Sequence, residues 1–178
     1  MANKVFVGTS LDGYIADRDN GLGFLETVPN PTNHDLGFAR FMNSVDAVLM
    51  GRKTLETVLS FGVPWPYAKP VFVLSSTMKK VPAELMDKLE IVSGDIRDVA
   101  KELNMRGFSD LYIDGGKLIQ SFLAEDMIDE LIVTQVPVLI GGGTPLYGEL
   151  SIHQKYELVE SRILLEALVQ SHYRRNRE

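Results

Sequence analysis

Short runs rich in Val, Ile, Leu and Phe alternate along the chain with stretches in which apolar residues recur every three or four positions. The first pattern suits strands buried on both faces and the second suits helices laid on a sheet, so their alternation predicts a sheet fed by crossover helices. Strands are expected near 3–9, 45–50, 70–75, 88–92, 110–114 and 128–138, and helices over 35–44, 53–60, 96–106 and 116–124. In the last helix Leu118, Ile119, Phe122 and Leu123 share one face, while Lys117, Gln120 and Glu125 lie elsewhere. Towards the C-terminus Glu157, Glu160 and Arg162 are interleaved with Leu158, Val159 and Ile163. That alternation predicts two antiparallel strands, near 155–164 and 166–174, appended to a parallel sheet with one face wet.

One connection breaks the rhythm. From Asp17 to His34 no period is sustained, and Gly and Pro recur. Loops longer than about 12–15 residues are uncommon inside compact domains and tend to be lids or binding loops, so a mobile functional loop is expected here. Nothing resembling a linker, repeat or low-complexity tract divides the chain, and residues 1–178 are read as one domain.

Composition narrows the function classes. The chain of 178 residues is 45% hydrophobic and 24% charged, with 18 Lys+Arg against 24 Asp+Glu and a formal net charge of -6. An acidic balance argues against a general nucleic-acid partner, which wants a basic field. The absence of cysteine excludes disulfides, thiolate metal sites and a thiol nucleophile, and fits a cytoplasmic setting. No stretch approaches the ~18 apolar residues of a membrane span, so neither targeting segment nor membrane contact is expected.

Two strand-to-helix turns carry chemistry. In Val48-Leu49-Met50-Gly51-Arg52-Lys53-Thr54 an apolar strand meets a glycine, and two cations then stand where a helix begins. A helix N-terminus is already partially positive, so Arg and Lys are misplaced there unless an anion joins them. Leu111-Tyr112-Ile113-Asp114-Gly115-Gly116-Lys117 repeats the logic, with paired glycines that suit close approach of a pyrophosphate. The plainer alternative is a tight turn with solvated cations. A third run ends in Leu74-Ser75-Ser76, whose hydroxyls either cap the next segment or donate to a phosphate.

These motifs together resemble the ordered cofactor motifs of the dihydrofolate reductase superfamily. Ser10-Leu11-Asp12-Gly13-Tyr14-Ile15-Ala16 and Pro137-Val138-Leu139-Ile140-Gly141-Gly142-Gly143-Thr144-Pro145-Leu146 resemble more closely its riboflavin-biosynthesis branch, the reductase domain of the deaminase/reductase. The resemblance runs from the first strand to about Leu150. It implies an α/β, three-layer dihydrofolate reductase-like fold with a mostly parallel central sheet and antiparallel C-terminal strands. It also implies NADPH as cofactor, with Gly51, Arg52, Lys53, Thr54, Leu74, Ser75, Ser76, Ile113, Asp114, Gly115, Gly116 and Lys117 around it and Ile15 and Ala16 beside the nicotinamide. Arg52, Lys53, Ser76 and Lys117 would meet the extra ribose phosphate.

For the chemistry, the resemblance places Asp35 where folate reducers hold their substrate carboxylate, and Thr134 where a threonine bonds both acid and substrate. Desolvation would raise the pKa of such an acid. Asp35 also reads as a helix cap and Thr134 as an ordinary strand residue. Asp114 departs from the triple-glycine turn of the folate enzymes, and the tryptophan they carry before the acid is missing, which favours the riboflavin branch. The implied activity is hydride transfer to a pyrimidine- or pterin-like small molecule. Folate reduction and a non-catalytic NADPH-binding sensor are the alternatives, and a homodimer is a family-level expectation.

Overall fold

The computed structural model describes residues 1–178. The first apolar run forms β1 (Ala2–Thr9), and β3 (Ala47–Gly51), β4 (Val71–Leu74), β5 (Leu89–Val92), β6 (Asp110–Asp114) and β7 (Glu130–Gln135) follow as further parallel strands. β9 (Lys155–Leu164) and β10 (Leu168–Asn176) add an antiparallel hairpin, completing an eight-stranded sheet in the order β5-β4-β3-β6-β1-β7-β10-β9. Four α-helices cover it: α1 (Phe38–Asn43), α2 (Arg52–Ser60), α3 (Ile96–Met105) and α4 (Gly116–Ala124). The fold is the expected α/β arrangement, mostly parallel with antiparallel C-terminal strands.

Burial explains the apolar runs. Ala47, Val48, Leu49 and Met50 in β3 are all fully buried, because helices lie on both faces of this central strand. Odd and even residues feed different cores. Leu49, Leu111 and Ile113 join Leu103 of α3 and the predicted face of α4, with Phe122 at its centre. Val48, Met50 and Tyr112 join Phe41 and Met42 of α1 and Leu55 of α2. Three layers result, and no helix is long and apolar enough to cross a membrane.

Several expectations need correction. The run expected as one strand over 128–138 ends at Gln135. Pro137 has no N–H to donate, and Val138 N–H turns back to the Val136 carbonyl at 2.8 Å. α1 starts at Phe38 rather than near 35, because Leu36 (φ 55°) and Gly37 (φ 89°) take left-handed backbone angles that a right-handed helix cannot include. The 17–34 segment holds a short 3-10 turn, Gly23–Glu26, whose Phe24 is buried. A second, two-stranded sheet, β2 (Tyr14–Ala16) with β8 (Thr144–Pro145), is too short to leave an alternating signal.

Arg175, near the C-terminus, is largely buried. Its side chain is 6% exposed and grips Asp126 with Nε to Oδ1 at 2.7 Å and Nη2 to Oδ2 at 3.0 Å, while Arg177 reaches Asp129 at 2.6 Å. The pairs lock the end of β10 to the turn between α4 and β7, and the hydrogen bond from Arg175 holds the Asp126 carboxyl below its usual pKa. A depressed carboxyl pKa stabilises the fold above the ordinary carboxylate value, and that contribution is lost as pH falls through the depressed one. Asp126→Asn is therefore expected to lower the unfolding free energy by about 1–3 kcal/mol at neutral pH. In urea titrations the difference from wild type should shrink as the pH is taken below the ordinary carboxylate range.

Candidate functional site

The carboxyl ends of β4, β3 and β6 lie side by side, since Leu74 registers with Gly51 and Met50 with Asp114. Helices start at two of these ends, α2 after Gly51 and α4 after Gly115. Neither has a side-chain cap or an acid in its first turn, whereas α3, which also starts at a strand's carboxyl end, is capped by Asp95 accepting from Arg97 N–H at 2.9 Å. Two helix starts thus keep unbonded N–H groups at neighbouring strand ends. Arg52, Lys53 and Lys117 stand exposed around them. Arg52 reaches only Glu56, at 3.6 Å, and the two lysines form no ion pair.

The glycines of the second turn are required by packing as well as by any ligand. A Cβ on Gly115, whose φ is 101°, would overlap the hydroxyl of Thr54, and one on Gly116 would come within 2.8 Å of Ile15 Cδ1 and Thr144 Cγ2. Thr54, Ile15 and the turn are therefore packed together. Of the serines, Ser75 caps the following turn by accepting from Thr77 and Met78 N–H at 3.2 and 3.0 Å, while the exposed Ser76 keeps a free hydroxyl. Leu74 is half-buried at the rim, and Ile113 is wholly buried in the core, so only its backbone faces the site.

The two motifs flanking Ile15–Ala16 clasp each other. Asp12 accepts from Ser10 Oγ at 2.6 Å, Gly141 N–H at 2.8 Å and Ile140 N–H at 3.2 Å, and the hydrogen bond from Ser10 leads in lowering its pKa. Gly143 is pressed so closely on the Ala16 carbonyl that a Cβ would overlap it. Arg18 donates to the Gly141 carbonyl at 2.7 Å. The glycine run thus holds β2 down onto Gly116.

The substrate-side expectations fare unevenly. Thr134 is 4% exposed and registers with Gly8 of β1 and Gln170 of β10, and its Oγ1 accepts from Gln170 Nε2 at 2.8 Å. Leu25 of the 3-10 turn lies over Gly8, its Cδ2 being 2.8 Å from where a Cβ would stand, so the 17–34 loop does cover this end of the sheet. Asp35 is neither buried nor raised in pKa. Its exposed carboxylate accepts from Gly37 and Ala39 N–H, each at 2.9 Å, and these bonds lower its pKa. Asp35 thus holds the turn that leads into α1, two residues before the Gly37 N-cap. Asp114 supplies what Asp35 lacks: it is half-buried, accepts from Tyr67 Oη at 3.0 Å, and desolvation raises its pKa. A cavity of about 580 Å³, lined by Trp65, Phe72 and Arg106 among others, lies at the opposite end, by the starts of β4 and β5.

Residues 4–169 match the family model of the RibD C-terminal domain. The chain belongs to the RibD C-terminal domain family. YwjB of Bacillus subtilis (strain 168), an uncharacterized protein, is 32% identical over 172 residues, with 95% of each chain covered. The solved structure of a protein of Shewanella sp. PV-4, described as a candidate riboflavin biosynthesis protein, is 52% identical, with a TM-score of 0.96 over 99% of this chain and 100% of that one. A diaminohydroxyphosphoribosylaminopyrimidine deaminase/5-amino-6-(5-phosphoribosylamino)uracil reductase from Thermotoga maritima shares the fold at 17% identity, with a TM-score of 0.73 over 98% of this chain and 56% of that one. The RibD C-terminal domain is a reductase domain, and this chain has a riboflavin-biosynthesis reductase-like character.

Within this RibD-type domain, sequence reasoning passed over Gln170, Arg162 and Tyr67. Gln170 and Arg162 sit in an edge hairpin far along the chain from Thr134, and only tertiary pairing brings them near. Tyr67 lies in a Pro-rich segment that reads as loop; burial raises the pKa of both Tyr67 and Asp114, and the Asp114 carboxylate raises that of Tyr67 further. A raised carboxyl pKa means that the contribution of Asp114 to stability is present below the ordinary carboxylate range and lost as pH rises through the raised value. Asp114→Asn should therefore be at least as stable as wild type at neutral pH and lose that advantage in acid. Denaturant midpoints at neutral and acidic pH check the sign.

Proposed function

We propose that this domain, residues 1–178, is an NADPH-dependent reductase that transfers hydride to a pyrimidine of the 5-amino-6-(5-phosphoribosylamino)uracil type or a close pterin-like analogue. The observation that carries the proposal is the meeting of two uncapped helix starts with Arg52, Lys53, Lys117 and the free Ser76 hydroxyl at adjacent strand ends. N–H groups at a helix start suit a diphosphate, and three cations with a hydroxyl suit the additional phosphate that separates NADPH from NADH. The residues present fit the group. When bound, the dinucleotide supplies the hydride.

The chain's own residues bind, orient and manage the proton. Gly115, Gly116 and Thr54 shape the diphosphate end, and Ile15 and Ala16, clamped by the Gly141–Gly143 run, border the nicotinamide end. Thr134 accepts from Gln170, which leaves its hydroxyl proton to meet a polar edge of the substrate. Asp35, with its lowered pKa, orients as an acceptor. Asp114 is the group suited to holding a proton, since burial keeps its neutral form accessible at higher pH. Leu25 and the loop around it exclude water from Gly8.

The test is loss of NADPH absorbance over a panel of ribosylamino-pyrimidines, pterins and dihydrofolate. Oxidation with the pyrimidines supports the reading, oxidation with dihydrofolate alone moves the substrate to folate, and tight NADPH binding without turnover marks a nucleotide-binding protein instead. Arg52→Ala is expected to cost NADPH about ten-fold or more in affinity while sparing NADH, the scale of a lost charge-assisted hydrogen bond. An unchanged NADPH/NADH ratio would remove the phosphate site from these residues.

A further inference from the structure

Tyr112 and Asp114 of β6, Phe6 and Gly8 of β1 and Thr134 of β7 share one face of the sheet, since Lys4 registers with Tyr112, Gly8 registers with Thr134, and side chains alternate along each strand. It is the face on which α1 lies, with Phe38 and Phe41 against the ring of Tyr112. β1 runs between β6 and β7, so Asp114 and Thr134 flank it from either side. Gly8 puts no side chain between them, and Leu25 covers the gap. Asp114 is also the last residue of β6, where the chain enters the Gly115–Gly116 turn packed against Ile15. Its carboxyl belongs both to that turn and to the face that carries Thr134.

The carboxyl has few polar partners. Tyr67 Oη donates to Asp114 Oδ2 at 3.0 Å. Tyr112 also reaches the carboxyl, yet its single proton goes to the Phe6 carbonyl at 3.1 Å. The Gly115 N–H is the third polar neighbour. No lysine, arginine or histidine nitrogen lies within 4.0 Å, so Arg52, Lys53 and Lys117 leave Asp114 unpaired. The other elements packed here bring no titratable group: β3 sets Met50 opposite, α1 brings Phe38 and Phe41, and α2 brings Thr54 and Leu55. Tyr67 is therefore the one side chain that donates to Asp114. Its own place is rigid, because Pro64, Pro66 and Pro70 each fix a backbone angle around it and its ring meets Trp65 edge-on at 5.2 Å. Burial and the neighbouring carboxylate push its pKa up, so the hydroxyl remains a donor while Asp114 titrates. Two opposed effects then act on Asp114: burial, the larger, favours the neutral acid, and the Tyr67 hydroxyl favours the carboxylate.

We propose that Tyr67 is a positioning residue of this site: its hydroxyl holds the Asp114 carboxyl in place and governs whether that carboxyl carries a proton. Use of the proton on a substrate lying over Gly8 rests on the proposed reductase function; the Tyr67–Asp114 pair itself is carried by the geometry.

The pair can be read without turnover in protein labelled with 13C-aspartate, where the Asp114 carboxyl resonance is the one that disappears in Asp114→Asn. Tyr67→Phe keeps the ring and its contact with Trp65 and removes only the hydroxyl. Losing a hydrogen bond to the ionised form should raise the midpoint of the Asp114 titration by about one to two pH units. In NADPH oxidation the alkaline limb of kcat should move up by the same amount with KM for NADPH kept, a coincidence that a purely structural role would not produce. A midpoint unchanged or lowered in Tyr67→Phe, or one that moves while the limb of kcat stays, would overturn the inference. If no substrate of the panel is oxidised, the reductase reading falls, and the carboxyl titration alone decides whether Tyr67 governs Asp114.

Discussion

The approach of two helix starts to one another is the constraint on which the site depends. Thr54, in the first turn of α2, lies against Gly115, the residue before α4, so closely that no side chain fits between them. Both starts carry the positive end of a helix dipole, both lack an acidic cap, and Arg52, Lys53 and Lys117 add like charge. Such an arrangement is unfavourable in isolation and becomes favourable when an anion sits between the N–H groups. The core fixes it in place, since β3 and β6 are neighbours whose residues are buried on both faces. Strands that pack well thus oblige the helices to present their amino ends together.

The remainder of the site is arranged around that edge. The small β2–β8 sheet exists because the Asp12 carboxylate ties the Ser10–Gly13 turn to Ile140 and Gly141, and the close packing of Gly143 on Ala16 fixes its register. It delivers Ile15 to Gly116. On the other side, the Gln170 amide ties β10 and Arg162 to the backbone just before α1, so the edge hairpin is fastened to the α1 side of the sheet. Two carboxyl groups divide by environment: Asp35 is held ionised by backbone N–H donors, and Asp114 is pushed towards its neutral form by burial beside Tyr67.

What could be read from the sequence was whatever physics acts locally. Cations after Gly51 and after Gly116 stand out because the helix dipole opposes them, and the α4 face stands out because its period is strong. Long apolar runs at β3 and β6 announce burial on both sides. Other features needed long-range pairing. Asp35 has the same sequence context whether it enters a pocket or ties a turn, and with left-handed backbone at Leu36 and Gly37 its carboxylate bonds the turn into α1. Arg175 carries no sign of burial until the fold brings Asp126 to it. Thr134 was found through resemblance, whereas Gln170 and Arg162, which complete its network, carry no local signal at all.

The crystal structure of the complex with NADP+ tests the central claim most directly, because it asks whether the two helix starts and their cations form one anion site. The diphosphate is expected against the N–H groups after Gly115, and the additional phosphate within hydrogen-bond reach of Arg52 or Lys53 and of the Ser76 hydroxyl. Electron density that places the dinucleotide elsewhere, or that leaves its additional phosphate in solvent away from Arg52, Lys53 and Lys117, would contradict the account.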